Sequence, residues 1–396
     1  MSKLNILVLT AYPPALGMHG GAMRMYYNIQ FLARKHKVTV ISFIEHEQDT
    51  DHLKSLTLLG VKVRAIPRIP SEFQNLGVPK PVEHFEFASQ EMSLAVKEVL
   101  NKQAVDVIQA EYLQMAQHVP RSATQLKILT QHEIGYVNAA DILKKENRPW
   151  GKIRKIYNWM VQFNYEINCC RYFDVIVCMT NEDFQRLAEF IPPSKLKTIN
   201  IGVDSEFFDA SSKPVSSYQG NKVLFVGNYR HKPNRESVYY FIKSVLPNIQ
   251  ESIPDVEFWI VGGNAEMLDS TILNSNPRVH VKGYVEDVRP FYRDCTIFVA
   301  PIVSGNGMRV KLLEAFSMGM PVVASPLAVH GFSVKADEEL IIASSQKEFS
   351  LKIVDLLKNK KQCIDLGLKA RKLICKSYDW SAISQQFLDL VEGRHA

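Results

Sequence analysis

The sequence lacks any apolar run long enough to cross a membrane. None of its stretches approaches the roughly 18 consecutive apolar residues that a spanning helix needs. The N-terminal apolar run, Leu4–Thr10, is too short for a secretory signal and is typical of a strand buried on both faces. We therefore expect a cytoplasmic protein, with contact at the inner face of a membrane as the alternative.

Cysteine pairs, metal-ligand clusters and strong charge are also missing. The chain of 396 residues has six cysteines without metal-site spacing, which suits reduced thiols in the cytosol. A net charge of +6 is too modest to indicate nucleic-acid binding. The one Asp-x-Asp, Asp49-Thr50-Asp51, lies in a polar stretch that we interpret as a solvated loop. We therefore predict no metal and no nucleic-acid partner.

What the chain does have is a regular alternation of strand-like and helix-like segments. It predicts an α/β fold of two doubly wound parallel sheets, with ligands at the carboxyl ends of the strands. The stretch 206–220, rich in Ser, Gly, Pro and Asp, reads as a linker. We expect an N-terminal domain over 1–205, a C-terminal domain over 221–375, and a last helix over 376–396.

Several local predictions follow from periodicity and turn residues. Gly20 and Gly21 should lie in a loop before a helix that begins at Ala22. Single helices are expected over 85–101, 236–252, 285–293 and 308–318, with the last starting after a glycine turn. Thr180 should cap the helix that follows the strand Val175–Met179.

The stretch Thr296–Ala328 reads as strand, glycine turn, helix and strand. Arg309 and Lys311 fall in the predicted first helical turn, where cations oppose the helix dipole. A bound anion would remove that conflict, and free N–H groups would hold it. The sequence therefore predicts a phosphate site here. The turn lacks the third glycine of a dinucleotide motif, with Val310 in its place, so NAD binding is disfavoured.

An ordered set of motifs covers nearly the whole chain: ILTQHE at 128–133, DVIVCMTNED at 174–183, FVGNYRHKPN at 225–234, VEFWIVGG at 256–263, VKGYVEDVRPFY at 281–292 and GNGMRVKLLEAFSMGMPVVAS at 305–325. With this set the chain resembles the retaining GT-B glycosyltransferases of family 4, glycosyl transferases group 1. The resemblance implies two Rossmann-like domains facing a cleft, with the last helix crossing back near 376–380. It also implies hexose transfer from a nucleotide-diphosphate sugar without a metal or other cofactor.

The resemblance assigns roles to individual residues. Catalytic roles fall to His132 beside the donor sugar, and to Arg309 and Lys311 at the diphosphate. Glu314 would hydrogen-bond the ribose. Donor contacts would come from these residues: Gly20, Gly21, Asn234, Gly263, Tyr284, Val285, Asn306, Gly307, Met308 and Glu314.

One departure stands out, because many members carry two glutamates and the first of them falls at Asn306. Transfer to a glycan, lipid-linked or small-molecule acceptor in cell-surface polysaccharide or glycoconjugate synthesis is the favoured function. A nucleotide-sugar 2-epimerase of the same fold and an inactive carbohydrate- or partner-binding protein are the alternatives.

The segment 152–171 is both basic and rich in aromatic residues. It would suit a helix lying on anionic lipid, and therefore a lipid-linked acceptor. A core helix with a solvated basic face is the alternative, and the pattern by itself favours that second interpretation.

Overall fold

The computed structural model describes residues 3–16, 20–69, 81–209, 220–305 and 309–393. The chain forms two compact units. The first contains the residues up to Asn200 together with those from Ile383 onward, and the second runs from Ile201 to Ala382. The final helix begins at Trp380 in the second unit and ends at Val391 in the first.

The first unit is built on a sheet of seven strands in the order β3-β2-β1-β4-β5-β6-β7. All of its pairings are parallel. The strands are β1 Asn5–Thr10, β2 Lys37–Ile44, β3 Lys62–Pro67, β4 Val107–Glu111, β5 Leu126–Gln131, β6 Val175–Cys178 and β7 Leu196–Thr198. The central β1 and β4 are buried almost throughout, as expected of strands covered on both faces.

The helices of this unit are α1 Gly20–Lys35, α2 Asp49–Leu58, α3 Val82–Glu86, α4 Gln90–Lys102, α5 Gly135–Lys144, α6 Pro149–Tyr172 and α7 Asn181–Ala188. Short 3-10 turns occupy Leu113–His118 and Pro193–Lys195. The predicted cap of α7 is confirmed, because the Thr180 hydroxyl accepts the amide of Asp183 at 3.0 Å.

Two predictions in this unit, at 85–101 and at 49–51, were wrong, and one helix was not predicted. The expected helix over 85–101 is divided, because Ser89 is extended and caps a new helix by accepting the Met92 amide at 3.2 Å. Asp49-Thr50-Asp51 is the first turn of α2, where carboxylates suit the helix dipole. The Asp49 side chain accepts the amides of Glu45 and His46, and Asp51 pairs with Lys54. The α5 helix had not been predicted.

The second unit contains a six-stranded parallel sheet in the order β10-β9-β8-β11-β12-β13. Its strands are β8 Lys222–Val226, β9 Glu257–Val261, β10 Val279–Gly283, β11 Ile297–Ala300, β12 Val322–Ala324 and β13 Ile341–Ile342. Its helices are α8 Lys232–Tyr240, α9 Leu246–Ser252, α10 Ser270–Leu273, α11 Arg289–Asp294, α12 Val310–Ser317, α13 Gln346–Lys358 and α14 Lys360–Ser377, followed by α15 Trp380–Val391. The predicted class, two parallel Rossmann-like sheets, is confirmed.

Helix boundaries in the second unit differ from the predicted ones. The helix expected over 236–252 starts earlier and contains one π-helical turn, Phe241–Val245, before Pro247 in α9. The helix expected from Val285 begins only at Arg289, where Asp287 accepts the Arg289 amide and guanidinium at 2.9 Å.

Residues of the C-terminal helix complete the first unit. The Ser384 hydroxyl donates to Asn28 on α1 at 3.2 Å, and Glu392 lies 3.3 Å from the ring of buried His36. The predicted linker over 206–220 falls within the second unit, and residues 210–219 lie outside the described residues.

Candidate functional site

In the second unit, candidate donor residues gather where β8, β9 and β11 end. These three strands are neighbours in the sheet, so the loops that follow them emerge side by side. In open α/β sheets this carboxyl edge is where ligands bind. The loops lead to α8 with Asn234 and to α12 with Lys311 and Glu314. We refer to Asn234, Arg309, Lys311 and Glu314 as the Lys311 cluster.

Two glycines let the β8 and β9 loops pass very close to each other. Gly262 has φ of +132°, a conformation that side chains rarely adopt. A Cβ on Gly262 would overlap the carbonyl oxygen of Gly227 and would lie only 2.9 Å from the carbonyl carbon. A Cβ on Gly227 would in turn approach the Lys311 Nζ to 3.1 Å and the Asn234 amide to 3.0 Å. Both glycines therefore set the floor of the Lys311 cluster.

Lys311 is the centre of this cluster. Its Nζ donates to the Asn234 side-chain oxygen at 2.7 Å and lies 4.3 Å from the centre of the Phe225 ring. Burial, reinforced by the nearby Arg309 charge, lowers the pKa of the Lys311 ammonium to about 7. The adjacent Glu314 acts in the opposite direction and does not cancel the lowering. An anionic ligand would stabilise the charge that burial disfavours, so Lys311 is suited to bind an anion.

Arg309 lies at the N-cap of α12 and not in its first turn, so that part of the prediction was wrong. Its backbone is non-helical, with φ of −100° and ψ of 87°, and the helix begins at Val310. The guanidinium donates to the Gly305 carbonyl oxygen at 2.8 Å. Burial lowers the pKa of Arg309. The loop is braced from α8 as well, because the Ser304 hydroxyl donates to the carboxylate of Glu236.

Glu314 lies one turn into α12, as predicted, and is held by a residue that sequence analysis missed. The hydroxyl of fully buried Tyr292 donates to one carboxylate oxygen of Glu314 at 2.8 Å. Burial raises the pKa of Glu314, while this hydrogen bond and Lys311 partly offset the rise. Tyr292 does not bind the second carboxylate oxygen of Glu314. That oxygen can therefore accept a hydrogen bond from a ligand.

The remaining candidates of this unit have mixed positions. The Gly263 carbonyl accepts the Tyr229 amide at 2.9 Å, and the Tyr284 ring lies 4.0 Å from where a Gly263 Cβ would be. Tyr284 is 77% exposed, and Val285 lies in the loop before α11. Asn306, Gly307 and Met308 lie outside the described residues.

In the first unit, His132 follows β5 and is fixed by two residues from the adjoining β4 end. Its Nε2 lies 2.7 Å from a carboxylate oxygen of Glu111, and its ring stacks on Tyr112 with centres 3.7 Å apart. Glu111 is fully buried and its other oxygen accepts from Thr130 at 3.3 Å and from Gln109. Because a carboxylate accepts, Nε2 is the donor in this contact, and in the neutral imidazole Nδ1 is then the acceptor.

Gly20 and Gly21 are the first residues of α1, so the predicted loop position was wrong. A Cβ on Gly21 would run into the Tyr112 hydroxyl and come within 3.2 Å of His132 Nδ1. Gly21 is therefore needed to make room for the Tyr112–His132 pair. The structure also brings the start of α1 next to Nδ1 of His132, which no periodicity argument had indicated.

Glu111 and Tyr112 are the main residues that sequence analysis missed here. A signal was available, since Glu111 is an acidic residue at the end of a buried strand, at the carboxyl edge of a parallel sheet. Tyr112 has φ of +74°, which is unusual for a residue with a side chain and marks a conformation held by its surroundings. Its amide is bound by the Thr130 carbonyl at 3.0 Å, and its ring by His132.

A second buried carboxylate supports the loop that carries His132. Glu166 on α6 accepts the amides of Gly135 and Tyr136 at 3.1 and 2.9 Å, and so caps α5 from outside. It also accepts from the Gln131 amide at 3.1 Å. Burial raises the pKa of Glu166 to about 7, although the hydrogen bonds from Tyr136, Gly135 and Gln162 favour the charged form. Residues 131–136 are thereby anchored on both sides of His132.

Among the described residues, no group of three or more His, Cys, Asp or Glu side chains is arranged to hold a metal ion. In the same ranges, no helix is both long and apolar enough to cross a bilayer.

Comparison with known families gives a match over the second unit. Residues 220–359 match the family model described as Glycosyl transferases group 1. This segment contains β8 to α13 and every described member of the Lys311 cluster. The coarser prediction, a glycosyltransferase, is therefore supported.

Two similar proteins differ in how much of the chain they share. An uncharacterized protein of the cps region of Klebsiella pneumoniae is 23% identical over 95% of this chain and 96% of its own length. The phosphatidyl-myo-inositol mannosyltransferase of Mycobacterium leprae is 29% identical, over 44% of this chain and 46% of its own length. The match to that mannosyltransferase spans about half of either protein.

Solved structures confirm the GT-B fold. Sucrose-phosphate synthase from Thermosynechococcus elongatus superposes with a TM-score of 0.73 at 15% identity, covering 99% of both chains. HepE from Anabaena, solved with UDP-glucose, superposes with a TM-score of 0.70 at 13% identity, covering 98% of this chain and 100% of HepE. At these identities the likeness establishes the architecture.

Proposed function

We propose that this protein is a retaining glycosyltransferase that moves a hexose from a nucleotide-diphosphate sugar to an acceptor hydroxyl. The observation that supports it most is that the Lys311 cluster contains two partly desolvated cations, Arg309 and Lys311, at the start of α12. They lie within the segment that matches group 1 glycosyl transferases. The UDP-glucose bound to the structural neighbour HepE is compatible with a nucleotide-sugar donor.

The proposed chemistry places the diphosphate at this cluster. In the transfer, the bond between the anomeric carbon and the phosphate oxygen breaks, and the acceptor oxygen bonds to the same carbon with its configuration retained. The acceptor proton is carried to the departing phosphate. Negative charge grows on the diphosphate as the bond breaks, and fixed cations stabilise it without reorganisation. Arg309 and Lys311 provide those charges, and the first amides of α12 add to them. No metal or other cofactor is required in this proposal.

Glu314 is proposed to receive the ribose hydroxyls. Tyr292 immobilises one carboxylate oxygen at 2.8 Å, so the other can accept from the sugar without a loss of side-chain freedom on binding. Asn234 holds Lys311 in place, while Gly263, Tyr284 and Val285 are proposed to border the nucleoside. Asn306, Gly307 and Met308 are proposed donor contacts on family resemblance alone.

His132 is proposed as the catalytic residue of the first unit. Glu111 and Tyr112 fix its ring, which leaves Nδ1 as the acceptor next to the start of α1. Gly20 and Gly21 are proposed to let a ligand approach the amides of that helix start. The proposed acceptor is a glycan, a lipid-linked molecule or a small molecule. The transfer is proposed to take place in the cytoplasm, in cell-surface polysaccharide or glycoconjugate synthesis. The similarity to a cps-region protein is compatible with this setting.

A panel of nucleotide sugars tests the proposal. Purified protein is incubated with diphosphate sugars of uridine, guanosine and adenosine, and binding is followed by thermal shift and donor consumption by product analysis. We expect the protein to bind the nucleotide sugar of one particular base and one particular sugar. The substitutions Glu314→Ala and Arg309→Ala should each weaken that binding by about tenfold or more. Undiminished binding in both variants contradicts the site assignment.

The same assay distinguishes two alternative functions from glycosyl transfer. A 2-epimerase would convert the donor sugar to its epimer without any acceptor. An inactive binding protein would bind nucleotide sugar or glycan with no product. Asn306 motivates that alternative, because many members of the family that the chain resembles carry a glutamate at this position. Product analysis with and without acceptor separates all three outcomes.

Glu111→Gln is expected to slow transfer by about tenfold to a hundredfold while the KM for the donor stays nearly constant. The glutamine amide cannot keep the charged hydrogen bond to His132, and a hydrogen bond to a charged group contributes about 1.5–3 kcal/mol. The kcat and KM values of Glu111→Gln and His132→Gln are measured across pH. Glu98→Gln, an exposed carboxylate paired with Arg64 and Lys102, is the matched control and should retain full activity. An unchanged kcat for Glu111→Gln rules out the positioning role.

A further inference from the structure

We propose that the first three turns of α6 are a docking surface for an anionic lipid bilayer. This inference rests on the proposed function, because binding to the bilayer would bring the enzyme to a lipid-linked acceptor. The core alternative is met only by the second half of α6, where Gln162, Glu166, Ile167 and Cys170 are buried. Before Val161 the helix is largely exposed.

Five large apolar side chains share one face of this exposed part. Trp150, Ile153, Ile156, Tyr157 and Met160 are 84%, 59%, 44%, 57% and 50% exposed. At 3.6 residues per turn their positions fall within roughly 120° of arc. The buried residues of α6, Gln162, Glu166, Ile167 and Cys170, all follow this part of the helix. The exposed apolar face is therefore separated along the helix from the residues that pack α6 into the unit.

The face does not continue along the helix. In the last turns the same arc contains the exposed polar residues Asn164, Asn168 and Arg171, and its one apolar residue there, Ile167, is buried. An apolar stripe that packs on the core is buried as Ile167 is, whereas the five apolar residues before it are exposed. An apolar face limited to the outer turns, with a tryptophan and a tyrosine in it, resembles the interfacial segments that rest at the level of lipid headgroups.

Charge selects the partner. Between residues 141 and 160 the α5–α6 hairpin has two acidic residues, Asp141 and Glu146, and six basic ones. The basic residues are Lys144, Lys145, Arg148, Lys152, Arg154 and Lys155. Glu146 already pairs with Lys155 at 2.8 Å, which leaves an excess of positive charge beside the apolar face. Cations flanking exposed aromatic and aliphatic side chains suit an anionic bilayer better than an apolar protein groove.

The test is co-sedimentation of the full-length protein with vesicles. The vesicles are phosphatidylcholine alone, or phosphatidylcholine with about 30 mol% phosphatidylglycerol, at about 0.05 M and about 0.5 M salt. We expect binding to the anionic vesicles that weakens with salt. The triple variant Trp150→Ser, Ile153→Ser, Tyr157→Ser should reduce the bound fraction by about tenfold or more. Leu58→Ser with Leu368→Ser removes exposed leucines elsewhere and should bind like the wild type.

Three results overturn the proposal: no binding of the wild type to anionic vesicles, equal binding of the triple variant, or a lipid-free dimer that the triple variant dissolves. The last would identify a second copy as the partner. Donor binding of the triple variant is measured in parallel with the nucleotide sugar identified by the panel. If the wild type binds none of the nucleotide sugars, the proposed function is wrong. If the wild type binds a nucleotide sugar but not the anionic vesicles, only this surface is wrong.

Discussion

Replacing Lys311 with methionine is expected to lower the transfer rate by about 10²–10³-fold. A fixed charge directed at a developing anion typically contributes that much to catalysis. Methionine keeps most of the length and the contact with Phe225 but removes the charge. Since burial already disfavours the ammonium, we expect no fall in thermal stability. The kcat, the KM and the midpoint of thermal unfolding are measured together.

Two further variants make the Lys311→Met result interpretable. Lys311→Arg retains the charge and should recover part of the rate. Lys369→Met changes an exposed lysine on α14 and should behave as the wild type. Full activity of folded Lys311→Met contradicts the proposed role of the cluster. So does a loss of the same size in Lys369→Met.

Gly262→Ala is the substitution expected to damage the second unit most. Its Cβ would intrude on the Gly227 carbonyl, a backbone group that cannot move independently of β8. Overpacking costs about 1–3 kcal/mol and an unsuitable φ about 1–3 kcal/mol, so the free energy of unfolding should fall by roughly 2–6 kcal/mol. Because two units need not unfold together, calorimetry should show one transition lowered and the other retained.

Gly283→Ala is the matched control for Gly262→Ala. Gly283 also has a positive φ, +67°, but no atom lies within 4 Å of an added Cβ. Only the backbone cost of about 1–2 kcal/mol applies there. Similar destabilisation by the two substitutions would show that the close approach of Gly227 and Gly262 is not what requires glycine.

Local pattern predicted much of the fold, since apolar runs alternating with amphipathic helices allow few other architectures. The Lys311 cluster was partly accessible for the same reason. Lys311 and Glu314 are three residues apart on one helix, and Asn234 follows a neighbouring strand. Contacts that depend on sheet register were not accessible. His132 and Glu111 are 21 residues apart and meet only because β4 and β5 pair in parallel.

Backbone detail escaped prediction wherever tertiary contacts decide it. Glycines 20 and 21 read as a turn, yet they begin α1, and Gly21 leaves the space that the Tyr112 hydroxyl occupies. Arg309 read as helical, yet its guanidinium contact with the Gly305 carbonyl accompanies a non-helical N-cap. For α6, the apolar face was visible in the sequence, but its exposure depends on what packs nearby, which periodicity does not report.

The central claim is that Lys311 binds the donor diphosphate, and calorimetric proton uptake tests it most directly. The preferred nucleotide sugar is titrated at pH 6 and pH 8 in buffers of different ionisation enthalpy. The pKa of Lys311 is about 7 in the free protein, and a bound diphosphate must raise it. The ammonium is therefore mostly present before binding at pH 6 and mostly absent at pH 8.

We predict uptake of about one proton per site at pH 8, much less at pH 6, and weaker affinity as pH rises above 7. A nucleotide sugar is used because its diphosphate, esterified at both ends, does not titrate in this range. Lys311→Met should abolish the pH-dependent uptake. Binding at pH 8 without proton uptake, or with the same uptake in Lys311→Met, would contradict the account.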